Sequence, residues 1–288
     1  MDQLLVERKL VPSRQAAQAA ILEGRVRVDG RVARKAGERV RADAGLELLE
    51  REPWVSRGGR KLAGALERFR LDVRGAVCAD VGASTGGFTD VLLHGGAARV
   101  YAVDVGRGQL AWRLRSDPRV VVLEGVNARY LGRREIPEPL DLAVVDVSFI
   151  SLAKVLPALV PLLRLGGRLL ALVKPQFEAG PRQVGKGGVV RDPGVHRRVL
   201  AAVDEAAAAL GLGAEGLTWS PVTGASGNIE FFILWRQGGE GRLDPARVEA
   251  LVAEAHRRLR PRREEGATDG GGASSRYLDP GPGAGGGG

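Results

Sequence analysis

The chain has 288 residues, 44% of them hydrophobic, enough for one ordinary domain with a sizeable core and a small second one. Its formal net charge of +9 favours a polyanionic partner such as nucleic acid. A single cysteine, Cys78 in an apolar run, leaves no disulfide framework, and no uncharged apolar run approaches the roughly 20 residues of a membrane helix.

The chain opens with MDQLLVERK, which lacks the apolar stretch of a secretion signal. A cytoplasmic protein without stable membrane association is therefore expected. Residues 1–52 read as short elements separated by turns. LLVERKL has a helical pattern; in PSRQAAQAAILEG, Ser13 can cap a second helix that Gly24 ends. RVRVDGRV alternates around Asp29-Gly30 and predicts a hairpin. Residues 1–60 hold 13 Lys and Arg against 9 Asp and Glu, so nearly half the net charge lies in about a fifth of the chain. The run LLVERKLVPSRQAAQAAILEGRVRVDGRV resembles the S4 RNA-binding domain, a small module that docks on structured RNA. That resemblance implies RNA contacts through Arg14, Arg25 and Arg27.

EPWVSRGG, within which residues 53–59 are assigned as a linker, leads into a different pattern over residues 60–240. Apolar strands alternate with helical stretches: AVCADVG, RVYAVDVG, VVVLEG, DLAVVDVS, RLLALVKP and GNIEFFILW. The fold class this predicts is α/β, a mostly parallel Rossmann-like sheet with helices on both faces, preceded by the small N-terminal α+β unit. Small-molecule sites in such sheets lie at the carboxyl ends of the strands. Residues 241–263 predict one amphipathic helix, and the polar, glycine-rich segment 264–288 reads as a disordered tail.

The first of these strands leads into DVGASTGGFT. Gly82 and Gly86 let the backbone approach a ligand, and Asp104, about 20 residues on, can accept hydrogen bonds from ribose hydroxyls. The spacing is not that of GxGxxG. Asp80 beside the loop would repel a pyrophosphate but suit the ammonium of a methionine moiety, so S-adenosylmethionine fits better than a nicotinamide dinucleotide. Gly82, Ser84 and Gly86 are expected along the methionine portion. Asn127 in GVNARYL stands for the adenine, or else caps the turn that follows.

Only six lysines occur among 43 Lys and Arg, and Lys, unlike Arg, can be tuned to act as a base. Lys174 ends the strand LLALVK and Asp146 ends LAVVD. Glu230 begins IEFFILW, and reaches the same edge if that strand is antiparallel. Lys61 lies on a helix before the first strand. The order Lys61, Asp146, Lys174, Glu230 is similar to the catalytic tetrad of FtsJ-type ribose 2′-O-methyltransferases. VSRGGRKL, DVGASTGGFTD, AVDVG, DVSFISL, LVKPQFEAG, KGGVVRDP and GNIEFF resemble, in order, the TlyA family of rRNA 2′-O-methyltransferases, whose members are also called hemolysins. The resemblance covers nearly everything up to residue 236.

It implies methyl transfer from S-adenosylmethionine to a ribose 2′-hydroxyl of ribosomal RNA, free or in ribosomal subunits. Lys174 would take the proton, its pKa lowered by burial and by Lys61, while Asp146 and Glu230 orient the group. The glycine-rich segment after the fifth strand carries Arg182, Lys186 and Arg191 and reads as a mobile loop facing RNA, with Lys186 a contact. Three rival readings remain at this point. A membrane-acting hemolysin would need membrane-seeking segments, a nonenzymatic S4-type protein would bind RNA but no cofactor, and a nicotinamide dehydrogenase is disfavoured by the loop.

Overall fold

The computed structural model describes residues 1–33, 35–49 and 53–259. The first of these elements are helices α1 (Asp2–Glu7) and α2 (Arg14–Leu22), followed by strands β1 (Val26–Val28), β2 (Arg31–Val32) and β3 (Leu46–Leu48) in the antiparallel order β2-β1-β3. Ser13 caps α2 by accepting from the Ala16 amide at 3.2 Å, and Gly24 at φ +69° ends it. Asp29 and Gly30 both have positive φ, the conformation a two-residue hairpin needs for its strands to twist together. Leu5, Ala17, Ala20, Ile21 and Val26 form the small core. The third strand, LEL, is too short to have been distinguished by alternation.

The larger unit begins with α3 (Gly58–Phe69) and continues through β4 (Val77–Val81), α4 (Gly87–His94), β5 (Arg99–Asp104), α5 (Trp112–Arg115), β6 (Val120–Glu124) and β7 (Leu140–Val145). Then come α6 (Leu156–Leu159), β8 (Leu163–Val173), α7 (Pro175–Glu178), α8 (Pro193–Ala208), β9 (Leu212–Trp219), β10 (Phe231–Gln237) and α9 (Pro245–Leu259). The sheet order is β6-β5-β4-β7-β8-β10-β9. β4 to β8 run parallel, and β10 is antiparallel to both of its neighbours.

Strand alternation divides the core into two layers. Ala79, Val81, Ala143, Val145 and Ala171 face α6, α8 and α9, whereas Cys78, Val100, Leu142 and Leu170 face α3 and α4. Helices thus cover both faces, as the alternating sequence predicted. β9 escaped the sequence reading because LGAEGLTW carries two glycines where other chain segments press close. A Cβ at Gly213 would lie 2.3 Å from the Gly239 backbone, and one at Gly216 would lie 2.6 Å from the Phe69 ring. The C-terminal helix is present as α9; residues 260–288, including the expected tail, lie outside the described residues.

Cys78 lies fully inside the second layer, and desolvation, followed by the charges of Asp141 and Asp80, pushes its thiol up to about 12. Since the thiolate is the nucleophile, the folded protein should resist iodoacetamide and take up one label only after denaturation. Intact-mass measurement checks this, and native labelling would contradict the packing.

Candidate active site

The carboxyl edge of the sheet collects the residues the sequence singled out. β4 and β7 pair Val81 with Val145, and the Asp146 amide donates to Val81 O at 2.9 Å, so the turn after β4 lies against Asp146. Gly82 there has φ +91°, and a Cβ on it would sit 2.4 Å from the Asp146 carbonyl oxygen. Only glycine fits that close approach. Asp104, at the end of β5, accepts from the Ser84 amide at 2.8 Å and the Gly106 amide at 2.7 Å, fixing the glycine loop to the next strand.

Two adjoining cavities share Gly82, Ser84 and Asp146. The larger, about 490 Å³, is lined by Val103, Asp104, Asn127, Val147, Ser148 and Ile150, among others. The smaller, about 250 Å³, is bounded by Arg57, Lys61, Thr85, Phe88, Thr223 and Ala225. Asn127 takes the capping role foreseen for it. It lines the larger cavity, and its Oδ1 accepts from the Arg129 amide at 3.1 Å to cap a short turn.

Antiparallel pairing sets Phe231 opposite Val173, which brings Glu230 and Lys174 to the same rim. Lys174 Nζ lies 2.6 Å from Asp146 Oδ1 and donates to Ser148 Oγ at 2.8 Å. The Asp146 contact is an ion pair outside hydrogen-bond alignment, so Oδ1 has no hydrogen-bond donor. Lys61, on the second turn of α3, donates to Glu230 Oε2 at 2.6 Å, and the Glu230 side chain is only 2% exposed. All four tetrad residues therefore meet as two ion pairs. Lys61 and Asp146 line the smaller cavity, and Glu230 and Lys174 hold them.

Gly224 had no motif to reveal it, yet a Cβ there would lie 2.5 Å from Glu230 Oε1. Gly224→Ala is expected to push that carboxylate off Lys61 and lower kcat by roughly ten-fold or more, the worth of a charge-assisted hydrogen bond. A wild-type kcat in this variant would show that the Glu230–Lys61 contact is not needed.

Two residues stand elsewhere than expected. Asp80 does not face the loop cavity. It shares a strand face with Cys78, is fully buried under α4, and its Oδ2 accepts from Thr89 N at 2.8 Å and Thr89 Oγ1 at 2.7 Å. Desolvation pushes its carboxyl up to about 7, against the lowering effect of the Thr89 bonds and with further upward pressure from Asp146 and Asp104. Gly86 also lies behind the loop, where a Cβ would meet Leu114 at 2.3 Å, and Gly87 lines the smaller cavity instead. In the N-terminal unit Arg14 binds Asp2, Arg25 binds Glu23, and Arg27 lies 3.6 Å from Glu47. Lys186 is exposed and makes no ion pair among the described residues.

The S4 domain family matches residues 1–46, and the FtsJ-like methyltransferase family matches residues 54–237, well over half of the chain. The 16S/23S rRNA (cytidine-2′-O)-methyltransferase TlyA of Mycobacterium tuberculosis is 49% identical over 257 residues, covering 88% of this chain and 96% of that protein. This chain belongs to the TlyA family of FtsJ-like methyltransferases. Family membership sets aside the dehydrogenase reading. Hemolysin A of Brachyspira hyodysenteriae is 38% identical over 232 residues, covering 80% of this chain and 97% of that one. A structure from Streptococcus thermophilus, also titled as a hemolysin, aligns with a TM-score of 0.72 at 42% identity, over 89% of this chain and 94% of its own. Among the described residues, no helix is long and apolar enough to cross a membrane.

Proposed function

We propose that the chain methylates a ribose 2′-hydroxyl of ribosomal RNA, with S-adenosylmethionine as donor, on ribosomes or their subunits in the cytoplasm. The observation that carries this reading is the meeting of Lys61–Glu230 and Lys174–Asp146 beside a glycine cradle that a single Cβ would fill. The larger cavity suits the donor: Asp104 would meet the ribose hydroxyls, Val103, Val147 and Ile150 a purine, and Asp146 the cationic sulfur. The donor supplies a methyl carbon on a positively charged sulfur that departs as a neutral thioether.

The protein's part is alignment and proton management. The acceptor oxygen would enter the smaller cavity, which Lys61 and Asp146 line, and its positioning there would supply much of the acceleration. Lys174 Nζ takes or shares the hydroxyl proton as the oxygen–carbon bond forms. Lys61, anchored by Glu230, offers positive charge to the developing oxyanion. Asp146 and Ser148 keep Nζ in place.

The test is transfer of labelled methyl to unmodified ribosomes, separated subunits and free rRNA. Labelled RNA supports the reading. Label on none of them, from a protein that binds the donor, would sink it.

A further inference from the structure

The segment that reads as a mobile loop is tied down in the folded protein. Gly185 and Val189 form an antiparallel bridge, and Gly187 and Gly188 both have positive φ, which closes a tight turn with Lys186 at its tip. Asn228 grips this turn from a neighbouring element. The Asn228 side chain is buried, its Nδ2 donates to Gly188 O at 2.8 Å, and its Oδ1 accepts from the Val190 amide at 2.9 Å. The side chain thus acts as a short stretch of β-ladder. Asn228 O in turn accepts from the Gly224 amide at 2.9 Å, and Gly224 packs against the Glu230 carboxylate. Thr223 and Ala225, on either side of Gly224, line the smaller cavity. The Lys186 turn, Asn228 and the cavity wall therefore form one connected arm whose base is closed by the Ser220 amide donating to Glu230 O at 2.8 Å.

We propose that the Gly185–Gly188 turn docks a backbone phosphate of the RNA strand next to the acceptor nucleotide, and that Asn228 is the positioning residue fixing this contact to the acceptor cavity. The inference rests on the reading of the chain as an rRNA methyltransferase. Glycines let a phosphate approach the backbone closely, and an exposed lysine with no ion pair among the described residues supplies a point charge. Contacts of this kind set register and carry no sequence information, which suits a residue whose task is to place a ribose. Lys186 held through Asn228 can do so; Lys186 on a free loop cannot.

The test is a double-mutant cycle on the full chain, reading affinity for unmodified rRNA by filter binding between 50 and 200 mM salt, a range over which phosphate contacts weaken measurably. Lys186→Ala should reduce the slope of log affinity against log salt by about one. Asn228→Ala should reduce it equally, and the double variant should lose no more than either single one. Asn228→Asp keeps the Val190 bond but loses the donor to Gly188, and carries the same expectation should the alanine variant fail to fold. An unchanged slope in both Asn228 variants, or a loss of about two in the double variant, overturns the proposal. Because binding is measured without turnover, these outcomes stand apart from the methyl-transfer result that judges the reading of function.

Discussion

Lys174→Ala should lower kcat for methyl transfer by about 10²–10⁴-fold, the range a positioned acid–base group contributes, while S-adenosylmethionine binds as before. Gly82, Val103, Asp104 and Asn127 line the cofactor cavity without contacting the Lys174 ammonium, which reaches it only through Asp146 and Ser148. Equilibrium binding of the donor and single-turnover transfer, measured on one preparation, separate the two effects. Lys174→Arg should not rescue, because a guanidinium keeps its proton at every useful pH. A Lys174→Ala variant with wild-type kcat would remove Lys174 from the mechanism. Loss of donor binding would instead make it a cofactor contact.

Asp80 should impose a pH dependence on folding stability that its asparagine variant lacks. In the unfolded chain the carboxyl has its ordinary value of 3.8; burial under α4 pushes it up to about 7 in the fold. Below about pH 4 both states hold the proton. Between about pH 4 and 7 the unfolded chain releases it while the fold retains it, so stability falls as pH rises through that window and levels off above it. The shift corresponds to roughly 4 kcal/mol, an order-of-magnitude figure for a group this deeply buried. In Asp80→Asn the side-chain oxygen still accepts from Thr89 and the other position no longer titrates. Denaturant unfolding at pH 4.5 and pH 8 gives the comparison, since every other titrating group is common to both proteins. Parallel pH dependences would show that Asp80 ionises normally in the fold.

The contrast between Asp80 and Asp146 shows how far the sequence could be read. Both follow apolar runs and both are strand-end carboxylates. Two positions of register separate them, because Asp80 pairs with Val144 inside the sheet and points under α4, while Asp146 has just left β7 and faces the cavities. Which of the two a carboxylate becomes depends on where the strand stops, the least legible feature of a short apolar run. Gly86 was misplaced for a related reason, since a glycine can serve a helix packed behind a loop as well as a ligand in front of it.

Lys61 presents the opposite case. It is 169 positions from Glu230, and nothing local joins them; order and resemblance pointed to the pair, and the 2.6 Å contact supplies the geometry. The antiparallel course of β10 was what Glu230 required, and the sheet has it. Gly224 and Asn228 were illegible because their roles exist only across loops: one leaves room for a carboxylate, the other completes a ladder for a distant turn. The surplus of positive charge suggested a polyanionic partner, but Arg14, Arg25 and Arg27 of the N-terminal unit already face acidic partners in the fold. Engagement with RNA would exchange those pairs for phosphate, at little cost for the exposed Arg27–Glu47 pair and at more for Arg14, whose partner Asp2 is buried.

The most direct test of the central claim is the identity of the methylated atom. Unmodified ribosomal subunits are incubated with methyl-labelled S-adenosylmethionine and the protein, the RNA is digested to nucleosides, and the labelled product is separated. The account predicts label on a 2′-O-methylated nucleoside, absent when Lys174→Ala replaces the wild type. Label on a base, on ribosomal protein, or on nothing despite binding of both donor and subunits would contradict it.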